Sequence, residues 1–267
     1  MKKQDRKNLL DKFYQEISQI KQRFDSIGVT SKTVASPEFT RVVIDLKKLL
    51  SRVEFFPVIG IIQKDKKIIK LAEDLREIYS RYYSYQENKT ALDIILAKSK
   101  NQFISNNIML GEREIEVSKV DGESHVFFIG SGPFPWTSIN YAISKGCKVT
   151  CIDKDPDAVA VSKQLVRKLE LDALIDIFCA NAQNFCYSQA THVVIAAMVK
   201  FKAAVLKQIK DTSKQNVKII IRSSFGPYFF IYERIDQKAL KNFKIIKTVS
   251  AGENSELISY ILSKNKK

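Results

Sequence analysis

The sequence predicts two parts: an N-terminal helical bundle, followed by an α/β domain whose Rossmann-like sheet ends in an antiparallel hairpin. Three observations predict this fold class. Apolar residues in the first 110 positions recur at three- and four-residue steps, which is the period of a helix. From Val126 onward, short apolar runs alternate with helical patterns. The last two runs are joined by a short segment that contains residues 250–254, which suits a hairpin. We therefore expect domains at residues 1–115 and 116–267.

The helical part is expected to contain four helices. The start of the second is well marked, because Ser36 can cap it and Pro37 suits its first turn. The polar stretch Gln86-Glu87-Asn88-Lys89 is expected to separate the third helix from the fourth. A charged stretch ending in Asp121-Gly122 is expected to connect the two domains. The predicted ranges are 5–26 for the first helix, 66–85 for the third, 90–104 for the fourth and 111–123 for the connection.

A cluster of tyrosines in the third helix is unusual for a protein surface. The tyrosines and the acids that follow them are Tyr79, Tyr82, Tyr83, Tyr85, Glu87 and Asp93. Two interpretations remain open. The phenols could form a pocket wall that offers hydroxyl donors, or the rings could pack the helical domain onto its neighbour.

The loop after the first strand of the α/β domain is the main candidate for a ligand site. The apolar run 126–129 ends in Gly130-Ser131-Gly132-Pro133, whose glycines allow a tight turn and a close approach to the main chain. Pro135 suits the first turn of the next helix, where free amides attract polar or anionic groups. Because Pro135 stands where dinucleotide-binding loops have their third glycine, a nucleoside is favoured over a wrapped pyrophosphate.

Asp153 is the candidate partner of that loop. It follows the second strand, 148–152, and lies 21 residues after Gly132, about where a dinucleotide-type fold places the acid that binds ribose hydroxyls. Asn181 follows the third strand, 175–179, so we expect it on the same rim, where it could contact an adenine edge. The alternatives are that the loop is only a tight turn, Asp153 a solvated acid and Asn181 a turn residue.

The remaining pattern completes the sheet. Asp155-Pro156 starts a helix as cap and first residue. Arg222 ends the fifth strand, whose apolar run implies burial, so its guanidinium should meet a carboxylate of the ligand or of the protein; the protein is favoured. The predicted ranges are 193–197 and 217–222 for the fourth and fifth strands, 200–210 for the helix between them, and 243–249 and 256–262 for the hairpin.

Composition limits the classes of partner. The net charge of +15 raises the question of nucleic acid, but the lysines are scattered and rarely interleaved with aromatic residues, which favours a solvated surface. No apolar run is long enough to cross a membrane and no signal peptide is recognised, so we expect a soluble cytoplasmic protein; a homodimer is left open. The cysteines, Cys147, Cys151, Cys179 and Cys186, lack a paired C-x-x-C arrangement, which predicts reduced, mostly buried thiols and no bound metal.

A parallel sheet that ends in an antiparallel hairpin resembles the sheet of class I S-adenosylmethionine-dependent methyltransferases. Three segments carry a closer resemblance: FFIGSGPFPWTSI, THVVIAAMV and IIIRSSFGPYFFIY. In this order and spacing they are similar to the nicotianamine synthase family and to its bacterial branch of staphylopine-type, or opine metallophore, synthases. The match covers about residues 126–236, and Tyr82-Tyr83-Ser84 resembles a motif of the family's helical half.

The resemblance implies transfer of the 3-amino-3-carboxypropyl group of S-adenosylmethionine, the co-substrate, to an amine of an amino acid such as histidine, with release of methylthioadenosine. It implies that Tyr83 and either Glu87 or Asp93 accept or orient the amine proton, and that Arg222 and Tyr228 hold an amino-acid carboxylate. The implied S-adenosylmethionine-binding residues are Gly130, Ser131, Gly132, Pro133, Pro135, Thr137, Asp153, Asp155, Asn181, Ala182 and Ala197. Thr137 is expected to cap its helix or to contact the carboxypropyl group.

Two other functions remain open at this point. The charge would suit a methyltransferase that acts on RNA, although Ala196-Ala197-Met198-Val199 replaces the Asp/Asn-Pro-Pro-Tyr type of motif that amino methylation of bases uses. A non-catalytic nucleic-acid-binding protein on a degenerate cofactor fold is the second alternative. Salt dependence of nucleic-acid binding would separate these functions from the transferase.

Overall fold

A computed structural model describes residues 2–96, 107–252 and 255–265, and these residues form two compact units. The first unit contains the described residues up to Tyr85 together with Ser224–Glu233. The second contains those of Gln86–Ser223 and those from Arg234 onward. The boundary between these two units differs from the domain boundary expected between residues 115 and 116. The expected boundary concerns domains that fold independently, and it stays a prediction.

The first unit is helical. Its elements are α1 (Lys3–Ile27), α2 (Pro37–Leu50), α3 (Ile59–Ile62), the first part of α4 (Lys66–Ile95) and 3₁₀ turns at Val53–Val58 and Gly226–Phe230. Ser36 caps α2 by accepting a hydrogen bond from the backbone N–H of Phe39 at 3.1 Å, as the sequence predicts. The apolar stripe of α1 is buried, and Phe13 packs edge-on against Phe55 with 4.9 Å between ring centres. Helical periodicity therefore predicted this core correctly.

The break predicted at residues 86–89 is wrong. Helix α4 runs without interruption from Lys66 to Ile95 and contributes residues to both units. The segment 86–89 contains no glycine or proline, and Gln, Glu and Lys are good helix formers, so polarity alone did not interrupt the backbone hydrogen bonds. The last part of the predicted fourth helix, residues 97–104, lies outside the described residues.

The second unit holds a sheet whose strands, within the described residues, number seven in the order β3-β2-β1-β4-β5-β7-β6. Strands β1 to β5 pair in parallel and β6 and β7 pair antiparallel. The strands are β1 (His125–Ile129), β2 (Lys148–Asp153), β3 (Ile175–Cys179), β4 (His192–Ile195), β5 (Lys218–Ser224), β6 (Phe243–Ser250) and β7 (Leu257–Lys264). The helices are α5 (Asn107–Ser118), α6 (Trp136–Lys145), α7 (Pro156–Lys168), α8 (Lys202–Thr212) and α9 (Gln237–Leu240). The predicted fold class is confirmed.

The register of the sheet brings the predicted site together. Central strand β1 pairs Ile129 with Ile152 of β2 and with Ile195 of β4, so the loops that follow these three strands begin at one edge. Two apolar clusters cover the faces of the sheet, one around Phe128 and one around Phe127. Alternate residues of a strand point to opposite faces, which explains why neighbouring phenylalanines belong to different clusters.

Two further expectations need correction. Residues 111–118 of the predicted connection are helical and form most of α5. Cys147 and Cys151 are buried, as expected, but Cys179 and Cys186 are exposed, so the expectation of mostly buried thiols holds for half of the cysteines. In the described part of the chain, no helix is both long enough and apolar enough to span a bilayer.

Candidate functional site

The loop between β1 and α6 depends on its glycines. Gly130 and Gly132 have φ angles of 77° and 64°, in the left-handed region that favours glycine. A Cβ atom on Gly130 would lie 2.5 Å from a methyl carbon of Val199, in the segment after β4. The N–H of Gly130 donates to the carbonyl oxygen of Ile152 at 2.8 Å, which ties the loop to the end of β2. The glycines therefore permit both the turn and its close packing.

Asp153 lies beside this loop, as its spacing predicts. Its Oδ2 accepts the N–H of Gly132 at 2.8 Å, and its Oδ1 accepts the N–H of Asp155 at 3.0 Å. Asp155 itself caps α7, because its Oδ1 accepts the N–H of Asp157 at 3.0 Å. Asp153 is thus a fixed carboxylate at the carboxyl end of β2, where open α/β sheets bind ligands.

Glu87 lies against the same loop. A Cβ atom on Gly132 would be 2.7 Å from Oε2 of Glu87, so the glycine leaves room for this carboxylate. Burial, reinforced by the negative charge of Asp153, raises the pKa of Glu87 well above its ordinary value. Among the described residues, Glu87 makes no hydrogen bond or ion pair through its side chain. Two carboxyl groups therefore border Gly132, and the part of the chain that the structure describes places no cation against Glu87.

The other candidate catalytic residues have different places. Asp93 lies on α4 six positions after Glu87, and at about 100° per residue it occupies another face of the helix. Tyr83 belongs to the first unit, where its ring stacks on Tyr79 with 6.0 Å between ring centres. Tyr228 also belongs to the first unit and is buried in the 3₁₀ turn Gly226–Phe230. Of the two candidate acids, the structure brings Glu87 to the glycine loop.

The start of α6 follows the loop directly. Pro135 occupies the cap position of α6, one residue before the first turn in which it was expected. Thr137 does not cap the helix; its Oγ1 accepts a hydrogen bond from Nη1 of Arg222 at 3.3 Å. The hydroxyl proton of Thr137 is therefore available for an acceptor on a ligand, which leaves the second expectation for this residue standing as a prediction.

The expected adenine side of the site lies after β3 and β4. Asn181 is exposed, and its Oδ1 accepts the N–H of Gln183 at 2.9 Å, which is the behaviour of a turn residue. The carbonyl oxygen of Ala182 accepts the hydroxyl of Tyr187 at 2.8 Å. Buried Ala197 follows β4, and its carbonyl oxygen accepts Nζ of Lys202 at 2.7 Å. These hydrogen bonds hold the segments that follow β3 and β4 in place.

The carboxylate partner of Arg222 is Glu114 of α5, as the preference for a protein partner predicts. Nε and Nη2 of Arg222 donate to the two carboxylate oxygens at 2.9 and 2.8 Å, which forms a two-point ion pair. Both side chains are almost fully buried. The guanidinium also lies over the ring of Phe128, at 5.7 Å from its centre. These contacts do not favour the expected role of Arg222 in holding a substrate carboxylate, which stays a prediction.

Sequence reasoning missed Glu114 and its other donors. Ser259 of β7 donates to its Oε1 at 2.5 Å and Tyr141 of α6 to its Oε2 at 3.3 Å. Burial and the charge of Glu114 raise the pKa of Tyr141 well above its ordinary value, so the phenol stays protonated and donates. A signal is present, because Leu110, Glu114 and Ser118 recur every four residues on one helical face, although the charge of the segment favours a connection.

Comparison with known families gives one match that spans nearly the whole chain. The sequence model of the family described as "Nicotianamine synthase protein" matches residues 8–267. Two related sequences carry the name L-histidine 2-aminobutanoyltransferase. The protein from Pseudomonas aeruginosa is 29% identical over 114 residues, which cover 42% of this chain and 43% of the relative. The protein from Yersinia pestis is 26% identical over 167 residues, 62% of each chain. The matched regions thus span about two fifths to three fifths of these relatives.

Solved structures with the same fold cover both units of the chain. A glutamate-to-glutamine mutant of MtNAS in complex with S-adenosylmethionine has a TM-score of 0.81 and 16% identity, covering 95% of this chain and 98% of the other. MtNAS in complex with MTA and tNA has a TM-score of 0.80 and 17% identity, covering 96% of this chain and 98% of the other. At this level of identity the likeness concerns the fold.

Proposed function

The chain belongs to the nicotianamine synthase family, and from that premise we propose that it transfers the 3-amino-3-carboxypropyl group of S-adenosylmethionine to an amine of an amino acid. The observation that carries this proposal is the arrangement of Gly132, Asp153 and Glu87 at the carboxyl ends of β1 and β2. It combines an open loop for a nucleoside, a fixed acid for ribose hydroxyls and a second acid for a basic group.

The proposed reaction is a substitution at carbon. The lone pair of the amine attacks the carbon of the carboxypropyl group that is bonded to sulfur, and that C–S bond breaks. The sulfur keeps the electron pair and becomes the neutral thioether of methylthioadenosine, while the nitrogen loses a proton. Because all three carbons on a sulfonium are electrophilic, the site must select one by holding it in line with the nucleophile, at roughly 3 to 3.5 Å.

We propose that Glu87, rather than Asp93, accepts the proton that the attacking amine loses. Glu87 lies at the loop, and its raised pKa makes it a stronger base than an ordinary glutamate, which suits acceptance of a proton from an amine. Tyr83 precedes it by one helical turn and would orient the acceptor; this role, and that of Tyr228 as a ligand of a carboxylate, rest on the family resemblance. Arg222 is held by Glu114 and donates to Thr137, so it would affect the substrate by positioning the hydroxyl of Thr137.

The co-substrate would bind along the rim of the sheet. Gly130, Ser131, Gly132 and Pro133 would surround the methionine and ribose part, and Asp153 would accept hydrogen bonds from the ribose hydroxyls. Pro135 and Asp155 would shape the two helix starts, while Asn181, Ala182 and Ala197 would border the adenine. The free cysteines fit a reducing compartment, and we propose a cytoplasmic location with a solvated basic surface.

The acceptor is proposed to be histidine. The relatives from Pseudomonas aeruginosa and Yersinia pestis are named L-histidine 2-aminobutanoyltransferase, and the family name points to the synthesis of metal-binding small molecules. Incubation with S-adenosylmethionine and separate amino acids, histidine first, should release methylthioadenosine and a conjugate of matching mass. S-adenosylhomocysteine as the sole nucleoside product would instead establish methyl transfer.

The assignment of Asp153 has its own test. Asp153→Ala should weaken binding of S-adenosylmethionine by about ten- to a hundredfold, because a hydrogen bond to a charged group contributes about 1.5–3 kcal/mol. Calorimetric titration measures this directly. Asp157→Ala, an exposed acid on the first turn of α7, is the matched control. Unchanged affinity in Asp153→Ala would place the ribose elsewhere.

A further inference from the structure

We propose that Glu87, together with Asp153, makes the site selective for the positive charge on the sulfur of its co-substrate, so that the sulfonium is preferred over a neutral thioether. This inference rests on the proposed function and adds a specificity-determining role to Glu87. It is separate from the proton transfer assigned above, because it concerns binding before and after the chemical step.

The first observation is that both carboxylates border one residue. The N–H of Gly132 donates to Oδ2 of Asp153 at 2.8 Å, and a Cβ atom on Gly132 would lie 2.7 Å from Oε2 of Glu87. In the described part of the chain, neither acid forms an ion pair; Asp153 accepts from two backbone N–H groups. Within residues 2–96, 107–252 and 255–265, the protein therefore places two carboxyl groups close together and supplies no cation for them.

The second observation is electrostatic. The charge of Asp153 and the burial of Glu87 act in the same direction and disfavour the ionised form of Glu87. Two like charges in a partly desolvated site repel, and a cation placed near both removes the repulsion and gains attraction. The ligand chemistry that fits this pair is accordingly a fixed positive charge rather than a neutral group.

The covalent structure of the proposed co-substrate puts such a charge within reach. The sulfonium is separated from the ribose ring by one methylene group, so a ribose held at Asp153 brings the sulfur next to the loop. Transfer of the carboxypropyl group converts the sulfonium into a neutral thioether, because the sulfur keeps the electron pair of the broken bond. The attraction to Glu87 and Asp153 then disappears, and the nucleoside product should leave more easily than the co-substrate.

The test is a set of calorimetric titrations at one pH with four ligands. S-adenosylmethionine and sinefungin carry a positive charge at or beside the sulfur position; S-adenosylhomocysteine has a neutral sulfur but keeps the amino acid ammonium; methylthioadenosine has neither charge. In the wild-type protein the two cationic ligands should bind more tightly than S-adenosylhomocysteine. Glu87→Gln should lower their affinity at least tenfold and change that of S-adenosylhomocysteine by much less.

The outcomes separate the alternatives. An equal loss for S-adenosylmethionine and S-adenosylhomocysteine, with methylthioadenosine unaffected, would assign Glu87 to the shared ammonium and overturn the proposal. So would an unchanged affinity ratio in Glu87→Gln, or a loss of the ratio in Asp93→Asn instead. Glu116→Gln, on the exposed face of α5, removes the same formal charge and should leave all four affinities unchanged.

Two further measurements protect the interpretation. Asp153→Asn removes the second charge without changing the size of the side chain. It should also reduce the ratio of the affinities for S-adenosylmethionine and S-adenosylhomocysteine, so it replaces Glu87→Gln if that variant cannot be titrated. Product analysis of the wild-type protein is independent of this result. Release of methylthioadenosine together with an unchanged affinity ratio in the variants would support the proposed function and refute the charge selection. A reduced ratio without release of methylthioadenosine would support the charge selection and refute the proposed function.

Discussion

Two acids of the second unit, Glu114 and Glu87, have opposite surroundings. Glu114 is fully buried and receives hydrogen bonds from Arg222, Tyr141 and Ser259 on its two carboxylate oxygens. Glu87 is only partly buried, its charged neighbour is Asp153, and the described residues provide it with no cation. Described side chains of the protein satisfy the first carboxylate, whereas the second is the one that we propose to contact the ligand.

This difference teaches that burial of an acid does not identify a functional residue; its partners do. A buried carboxylate with a two-point guanidinium partner and two hydroxyl donors connects α5, α6, β5 and β7, which is a structural role. A carboxylate that faces another carboxylate at a glycine loop lowers the stability of the empty protein. Such a cost is expected at binding sites.

The largest effect on stability is expected for Glu114→Ala. It would leave the guanidinium of Arg222 buried without its carboxylate, and we expect the free energy of unfolding to fall by about 3–5 kcal/mol. Urea denaturation followed by circular dichroism measures this loss. Glu112→Ala, an exposed position on the same helix, should change stability by less than about 0.5 kcal/mol. A similar small effect in both variants would show that the ion pair is not a structural anchor.

A smaller loss is expected for Ser259→Ala. The variant keeps the ion pair but removes the hydroxyl that donates to Oε1 of Glu114, and a hydrogen bond to a charged group is worth about 1.5 kcal/mol or somewhat more. Thermal unfolding should show a lower Tm than in the wild type. Ser263→Ala, on the same strand and less buried, is the control. If both serine variants lose equally, the effect belongs to the strand and not to Glu114.

The smallest effect should have the opposite sign. Glu87→Gln removes an unfavourable charge from the empty site, so the Tm of the ligand-free protein should rise by a few degrees. Because the folded protein holds the Glu87 proton more tightly than the unfolded chain, this group supports stability below its ordinary pKa of 4.5 and loses that contribution as the pH rises through its raised pKa.

The increase in Tm caused by Glu87→Gln should therefore be small at acidic pH and grow towards neutral pH. A series of thermal unfolding curves across this range measures it. A variant that is less stable than the wild type at neutral pH would contradict the view that Glu87 is uncompensated in the empty protein.

Sequence reasoning predicted the architecture and the local geometry of the glycine loop correctly. The positive φ angles of Gly130 and Gly132, the position of Asp153 beside them, the cap at Asp155 and the C-terminal hairpin all follow from local rules about turns, caps and strand ends. These features depend on residues close together in the chain, and for that reason a single sequence was enough to predict them.

The features that were missed depend on distant contacts. Glu114 meets Arg222 across 108 positions and Ser259 across 145, and no local pattern specifies such pairs. The uninterrupted course of α4 is not predicted by polarity, because the polar segment 86–89 suggests a break, whereas the structure places Glu87 of this segment against the glycine loop. Helix propensity, which ranks Gln, Glu and Lys among the good helix formers, was the more reliable guide there.

Cys151 gives the sheet beneath this site a native chemical reporter. It lies two residues before Asp153 on β2, is fully buried, and has its thiol pKa raised to about 12 by that burial, whereas Cys179 and Cys186 are exposed. An alkylating reagent therefore modifies the two exposed thiols in the native state and reaches Cys151 when β2 separates from its neighbours. The rate at which mass spectrometry detects that modification reports how often the strand that carries Asp153 opens, without an engineered cysteine.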